Sequence, residues 1–267
     1  IRFKKGKERW LDLSGTWDAQ IRKQMEYLPE KTFFNYMASA MFNGMISPVS
    51  PYKICAVIYY QGESDVGHPN RYALEFRALV NDWRKSWKEK QLPIIYVQLA
   101  GFSDGNIKKQ GTQWAEFREV QRQAMEIENT AMIQAYDVGE YNDLHPMDKK
   151  TLGMRAALAV HKLVYGEKEE CTGPQVRKIR LDRDKRVHAV FDQPLQTGSK
   201  KDGCELVSEV ELRKANGDYK RAYVTVDGNE ICAWLSDGEE PTGIRYAWKD
   251  CPMNICCLLY TSDAADD

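Results

Sequence analysis

Nowhere does the chain carry an apolar run of the roughly 18–20 residues that a membrane-crossing helix needs, which excludes an ordinary transmembrane span. An excess of either charge is missing too: 38 lysines and arginines stand against 39 aspartates and glutamates, for a net charge of −1. Without a bulk positive field there is no electrostatic footprint for nucleic acid or an anionic membrane, so neither is expected as a partner. Histidine is scarce, at 4 residues, and none of the 7 cysteines forms a Cys-x-x-Cys pair, so no metal site is expected. The start, Ile1-Arg2-Phe3-Lys4-Lys5, lacks both an initiator methionine and the apolar core of a signal peptide, and reads as the interior of a longer frame.

What is present is long enough, at 267 residues, for one large domain or two moderate ones. Short apolar runs alternate with stretches of helical period from Ile54 to Gly166, the pattern of strand-helix-strand units on a parallel sheet. Ile54 to Tyr60 is uninterrupted, as expected of a strand covered on both faces, and places Cys55 as a small buried hydrophobe. Tyr72, Phe76, Leu79, Val80, Trp83 and Trp87 form one apolar helical stripe. Ile94–Leu99 is a second strand, Trp114 to Ala124 a second helix and Thr130–Asp137 a third strand. Leu152 to Leu163 make a third helix, which Gly166 ends in a left-handed cap.

After Gly173-Pro174 short alternating segments take over, punctuated by Asn216-Gly217 and Asp227-Gly228, pairs that favour tight hairpins. The expected organisation is an α/β domain over 1–170 and a small β-sandwich-like module over 174–255. Residues 257–267 resemble a translated adapter and carry no fold information. Cys171, Cys204, Cys232 and Cys251 fall where pairing within this module is conceivable, though free thiols are the favoured expectation.

Ligands of open parallel sheets gather beyond the carboxyl ends of the strands. Two polar clusters stand there: Gln61-Gly-Glu-Ser-Asp65 after the first strand, and Asp137 to Pro146 after the third. His145 is the leading general base, since an imidazole near neutrality both accepts and returns a proton. Asp143 is the nearest partner for fixing its tautomer, with Glu140 and Asp137 as rivals that spacing does not separate. The Gln61 amide is placed to donate to a developing oxyanion, Gly62 permits close backbone approach, and Glu63 pairs with a basic group or orients the loop. Ser64 is structural, because a nucleophile elbow needs Gly-x-Ser-x-Gly and Val66 stands where the last glycine belongs. His68 reads as an exposed loop residue, and His161 and His188 as structural.

Taken in order, Tyr59-Tyr-Gln-Gly-Glu-Ser-Asp65, Asp82-Trp-Arg84, Val97-Gln-Leu99, Trp114-Ala-Glu-Phe-Arg118, Asn142-Asp-Leu-His-Pro146 and Arg245-Tyr-Ala-Trp248 resemble the bacterial sialate O-acetylesterase family. The resemblance implies a flavodoxin-like three-layer α/β/α core of the SGNH-hydrolase type with a parallel sheet, followed by a small all-β module. It also implies a Ser-His-Asp esterase that removes acetyl groups from sugar hydroxyls without metal or organic cofactor, in the periplasm or outside the cell. His145 matches the family's catalytic histidine, and Gln61 the residue that helps build its oxyanion hole. The family's nucleophile lies in a Gly-Gln-Ser-Asn block, which does not occur in this chain and is expected upstream of it. Relatives of the wider superfamily place aspartate three residues before the histidine, where Asn142 stands here, so the acid remains open. Two rival readings are a non-catalytic carbohydrate-binding protein stacking sugars on Trp114, Tyr136 and Tyr141, and a glycoside hydrolase using Glu63 with Asp143.

Overall fold

The computed structural model describes residues 2–5, 9–12, 15, 16, 18, 20, 33, 37–103, 111–168, 170–195 and 209–252. Cys204 and residues 257–267 lie outside the described residues. Internal contacts divide the chain into two compact units, Ile1–Pro48 and Val49–Asp267. In the first unit, β1 (Arg2–Lys5) and β2 (Arg9–Asp12) pair antiparallel, and a single wide helical turn spans Phe42–Ile46.

The second unit begins with a three-stranded parallel sheet in the order β3 (Val57–Tyr59), β4 (Ile94–Val97), β5 (Thr130–Ile133). Three helices connect and follow the strands: α1 (Pro69–Ser86), α2 (Gln113–Gln123) and α3 (Lys149–Tyr165). Side chains of successive strand residues point to opposite faces, and this alternation builds the three layers. Ile94, Tyr96 and Met132 pack with Tyr72, Phe76 and Val80 of α1 and with Phe117 of α2. Ile95, Val97, Ala131 and Ile133 turn the other way, onto Leu152, Ala156 and Ala159 of α3. All four residues of β4 are buried, as the uninterrupted apolar run requires of a central parallel strand.

The first strand departs from expectation. It is an edge of the described sheet, Ile58 is 58% exposed, and Cys55 just before it is exposed rather than buried. An apolar run reports affinity for a covered environment, but a strand paired on one side is covered only where a helix lies over it. Val57 and Tyr59 have that cover from the α1 side, while Ile58 faces away from it.

Polar atoms bind α2 to the end of β4. Gln121 is 1% exposed; its Oε1 accepts from Leu99 N at 2.9 Å, and its Nε2 donates to Val97 O at 3.3 Å. The Tyr96 hydroxyl donates to Gln121 O at 2.8 Å. These bonds satisfy the backbone where the chain leaves the ladder, a requirement of any buried strand end. Gly166 adopts φ 71° at the C-terminus of α3, the left-handed cap its position predicts.

Beyond α3 the chain forms two antiparallel sheets. One has the order β10 (Tyr223–Asp227), β11 (Glu230–Trp234), β7 (Val187–Phe191), β6 (Val176–Leu181); the other has the order β12 (Gly243–Tyr246), β8 (Val210–Arg213), β9 (Tyr219–Arg221). Val187, Ala189 and Phe191 alternate inward and share a core with Val210, Leu212, Ile231 and Ala233. Gly217 at φ 94° lies in the turn between β8 and β9, and Gly228 at φ 57° in the turn between β10 and β11. Cys171, Cys232 and Cys251 form no disulfide.

His188 is structural, and the cause is electrostatic. Its Nε2 lies 2.9 Å from Asp182 Oδ2, and its Nδ1 contacts Glu230 Oε1, which also accepts from Arg180 Nη2 at 2.9 Å. Two carboxylates favour the imidazolium, chiefly through the Asp182 hydrogen bond, so the His188 pKa is raised. A raised folded pKa contributes stability that is complete below the ordinary histidine value and is lost as pH climbs through the folded one. The melting temperature is therefore expected to fall as pH rises from below the ordinary histidine value through the raised one, and His188→Gln to flatten that fall. Calorimetry across that range checks it, and parallel curves for the two proteins would refute it.

Candidate functional site

Because the three strands of the core are parallel, the loops after β3 and β5 leave the same rim of the sheet. The first loop is organised around Gln61. Its Oε1 accepts from the Tyr59 hydroxyl at 2.8 Å, and its Nε2 donates to Asp65 Oδ2 at 2.8 Å. Asp65 in turn accepts from Arg71 Nη2 at 3.0 Å. Burial first, then Asp65 and Glu63, push the Tyr59 hydroxyl up to about 12, so it stays a donor and fixes which end of the carboxamide is the oxygen. A carboxamide has two N–H donors, and the bond to Asp65 uses one.

Gly62 follows with φ 150°, and a β-carbon there would lie 2.7 Å from Cε1 of Phe117, a side chain with no exposure. The glycine is what lets this loop lie directly on α2. Gly62→Ala is expected to destabilise the protein by about 1–3 kcal/mol, through overpacking and a disfavoured φ. Urea denaturation measures it, and a change below about 0.5 kcal/mol would contradict the account. Glu63 is half-buried at the start of the single 3-10 turn Glu63–Asp65, and Ser64 within that turn is exposed. His68 is exposed at the N-terminus of α1.

The second loop is clamped at both ends. Arg155 of α3 grips Asp137 with two bonds, Nη1 to Oδ1 at 2.8 Å and Nη2 to Oδ2 at 2.6 Å, while Nη1 also reaches Gln134 O at 2.7 Å. At the far end Asp148 caps α3, accepting from Thr151 N at 3.0 Å and Thr151 Oγ1 at 2.6 Å. Midway, Gly139 lies against the loop after β4, where a β-carbon would come within 2.8 Å of Gly101 O. Ser103 N donates to Tyr141 O at 2.7 Å in the same crossing.

His145 stands at the tip with its side chain 85% exposed. Asp143 accepts from His145 N at 2.8 Å, and the same oxygen is 3.9 Å from the ring Nδ1. The carboxylate thus fixes the backbone of the histidine and lies within a small rotation of its ring. Of the rivals, Asp137 is committed to Arg155, and Glu140 carries a buried Oε2 with no hydrogen-bond partner. Neither makes an ion pair with His145 among the described residues. The two loops meet indirectly: Lys149, four residues past His145, holds its Nζ 5.2 Å from the ring centre of Tyr60, the residue before Gln61.

Tyr59 and Arg155 are residues of the candidate site to which sequence reading gives no role, and it gives Asp65 a place in the first cluster but no partner. Arg155 had a signal: it shares the buried face of α3 with Leu152, Ala156 and Ala159, and an arginine at a core position demands a buried acceptor. Among the described residues no cluster of three or more His, Cys, Asp or Glu side chains has the arrangement of a metal site. No described helix is long and apolar enough to cross a membrane.

Comparison with known proteins places the chain in a family. Residues 19–162 match the model of carbohydrate esterase, sialic acid-specific acetylesterase. The sialate O-acetylesterase of Rattus norvegicus is 31% identical over 264 residues, covering 84% of this chain and 45% of its own length. That of Homo sapiens is 32% identical over 254 residues, covering 85% of this chain and 47% of its own. A crystal structure of a carbohydrate acetylesterase from Xanthomonas citri superposes with a TM-score of 0.73 at 29% identity, over 80% of this chain and 50% of that one. The chain therefore spans about half the length of the curated relatives it matches. On the family match and these relatives together, the chain belongs to the sialic acid-specific acetylesterase family of carbohydrate esterases.

Proposed function

We propose that this chain supplies the histidine-carboxylate half of a carbohydrate O-acetylesterase, whose nucleophilic serine lies in a Gly-Gln-Ser-Asn block outside these 267 residues. The observation that carries the reading is the Lys149–Tyr60 contact, which ties the first residue of α3, four past His145, to the residue beside Gln61. In the proposed reaction His145 takes the proton from the serine hydroxyl as that oxygen attacks the acetyl carbonyl, then gives it to the departing sugar oxygen. Asp143 swings from the His145 backbone to Nδ1 and stabilises the imidazolium. The remaining Gln61 N–H donates to the oxyanion, a role for which its orientation is fixed in advance by Tyr59 and Asp65. Water then repeats the cycle on the acetyl-serine and releases acetate.

The test is acetate release by the protein encoded by the complete reading frame, with O-acetylated N-acetylneuraminic acid and acetylated xylo-oligosaccharide as separate substrates. Turnover of either supports the reading, and the preferred one names the glycan. A protein that binds these sugars without releasing acetate would transfer support to the non-catalytic reading.

A further inference from the structure

The last described residues of the β module leave it. Beyond β12 the chain turns at Ala247, φ 51°, and Asp250 and Cys251 meet the α/β core. Asp250 bonds that core at three places. Its N–H donates to Gly111 O at 3.0 Å and its carbonyl accepts from Phe102 N at 3.3 Å, so one residue holds the chain at both Phe102 and Gly111. Its Oδ1 accepts from Trp114 N at 2.8 Å, in the first turn of α2, where N–H groups lack intrahelical partners and a carboxylate is favoured. Thr112, at the N-cap position, makes no capping bond; its hydroxyl donates to Glu116 instead. The cap of α2 is therefore delivered from 136 residues away. Arg118, 5% exposed on the same helix, secures the turn by donating to the carbonyls of Lys249 and Asp250.

Cys251, 1% exposed, lies against Gly101 of the loop after β4: a β-carbon there would be 3.2 Å from the cysteine Cα and Sγ. Gly101 is also the residue on which the His145 loop rests. A β-carbon at Gly139 would come within 3.0 Å of Gly101 N and 2.8 Å of Gly101 O. Cys251, Gly101 and Gly139 thus follow one another with no room for a side chain between them, a spacing that only glycine at the two inner positions permits. The bond from Ser103 N to Tyr141 O, at 2.7 Å, fastens the two loops beside that joint.

We propose that Asp250 is a positioning residue of the esterase site: by pinning Phe102, Gly111 and Trp114 it sets the loop after β4, on which the loop carrying His145 rests. The β module is then part of the active-site scaffold. The catalytic consequence rests on the esterase reading, whereas the mechanical coupling of the two loops to Asp250 does not.

Two measurements test it. Amide hydrogen exchange on the intact chain compares the unmodified protein with Asp250→Ala over segments 99–103 and 138–146. Exchange is expected to quicken about ten-fold or more in both segments and to stay unchanged in α1. In the protein of the complete frame, Asp250→Ala is expected to lower kcat for acetate release about ten-fold with KM within about two-fold, since a displaced general base slows chemistry without weakening substrate binding. Asp250→Asn keeps an oxygen for Trp114 N and is expected to restore most of the rate. Gly101→Ala guards against a folding defect at position 250. It leaves these hydrogen-bonding groups in place, puts a methyl 3.2 Å from Cys251 Cα, and is expected to reproduce the same pattern. Unchanged exchange over 138–146 in both variants would overturn the proposal, as would quickening spread over the whole chain. So would a kcat untouched by either substitution, or Asp250→Asn as slow as Asp250→Ala. An unmodified protein that releases no acetate would instead defeat the esterase reading, and the exchange result alone would then decide the coupling.

Discussion

Asp137→Ala is expected to lower the unfolding free energy by about 3–5 kcal/mol, the cost of leaving a buried cation without its counter-charge. Arg155 is 8% exposed at its side chain and Asp137 13%, so water is poorly placed to replace the lost carboxylate. The bond from Arg155 to Gln134 O survives the substitution but accepts only part of the charge. Arg155→Met is expected to cost a similar amount, for the converse reason that it leaves the Asp137 carboxylate buried alone. The double variant Asp137→Ala with Arg155→Met removes both charges and is expected to cost clearly less than the two single changes summed. Denaturant unfolding of the four proteins decides the matter. Additive losses, or a single-variant loss under about 1 kcal/mol, would mean that the pair is effectively solvated.

That ion pair also shows where sequence reading stops. The three strands and three helices of the α/β core are legible because burial acts on one residue at a time. A strand with two covered faces, such as Ile94–Val97, must be apolar throughout, and a helix lying on a sheet must repeat its apolar residues at three- and four-residue steps. The hairpin turns at Gly217 and Gly228 are legible for a similarly local reason, a backbone angle that glycine adopts without strain. Ile58 and Cys55 were misread because exposure is a property of what lies alongside: the same apolar letters suit a central strand or an edge, and the pairing order decides.

The candidate site divides in the same way. Its position at the carboxyl rim follows from chain direction, and the polar clusters Gln61–Asp65 and Asp137–Pro146 stood out against their apolar strands. The partner of each side chain did not, since the Tyr59 to Gln61 bond depends on rotamers and the Arg155 to Asp137 bond joins residues 18 apart. Three carboxylates within one short loop were equivalent by spacing. Geometry separates them: Asp137 is spent on Arg155, Glu140 turns a carboxylate oxygen inward, and Asp143 stands beside the imidazole.

His145→Ala in the protein of the complete frame is expected to reduce kcat/KM for acetate release by about 10³-fold or more, the usual scale for losing a general base that activates a hydroxyl. The side chain is 85% exposed, so its removal leaves no cavity and the melting temperature is expected to stay unchanged, which separates chemistry from folding. Asp143→Asn keeps an oxygen for His145 N but removes the charge that steadies the imidazolium. Its expected loss is about 10²-fold in kcat with little change in KM, because the interaction strengthens only as the histidine takes up a proton. Glu140→Gln is expected to leave kcat within about two-fold, because the carboxylate beside the ring is that of Asp143. A large kcat loss in Glu140→Gln with Asp143→Asn nearly silent would exchange the roles of the two carboxylates. Full rate in His145→Ala would remove the imidazole from the reaction, and the proposed mechanism with it.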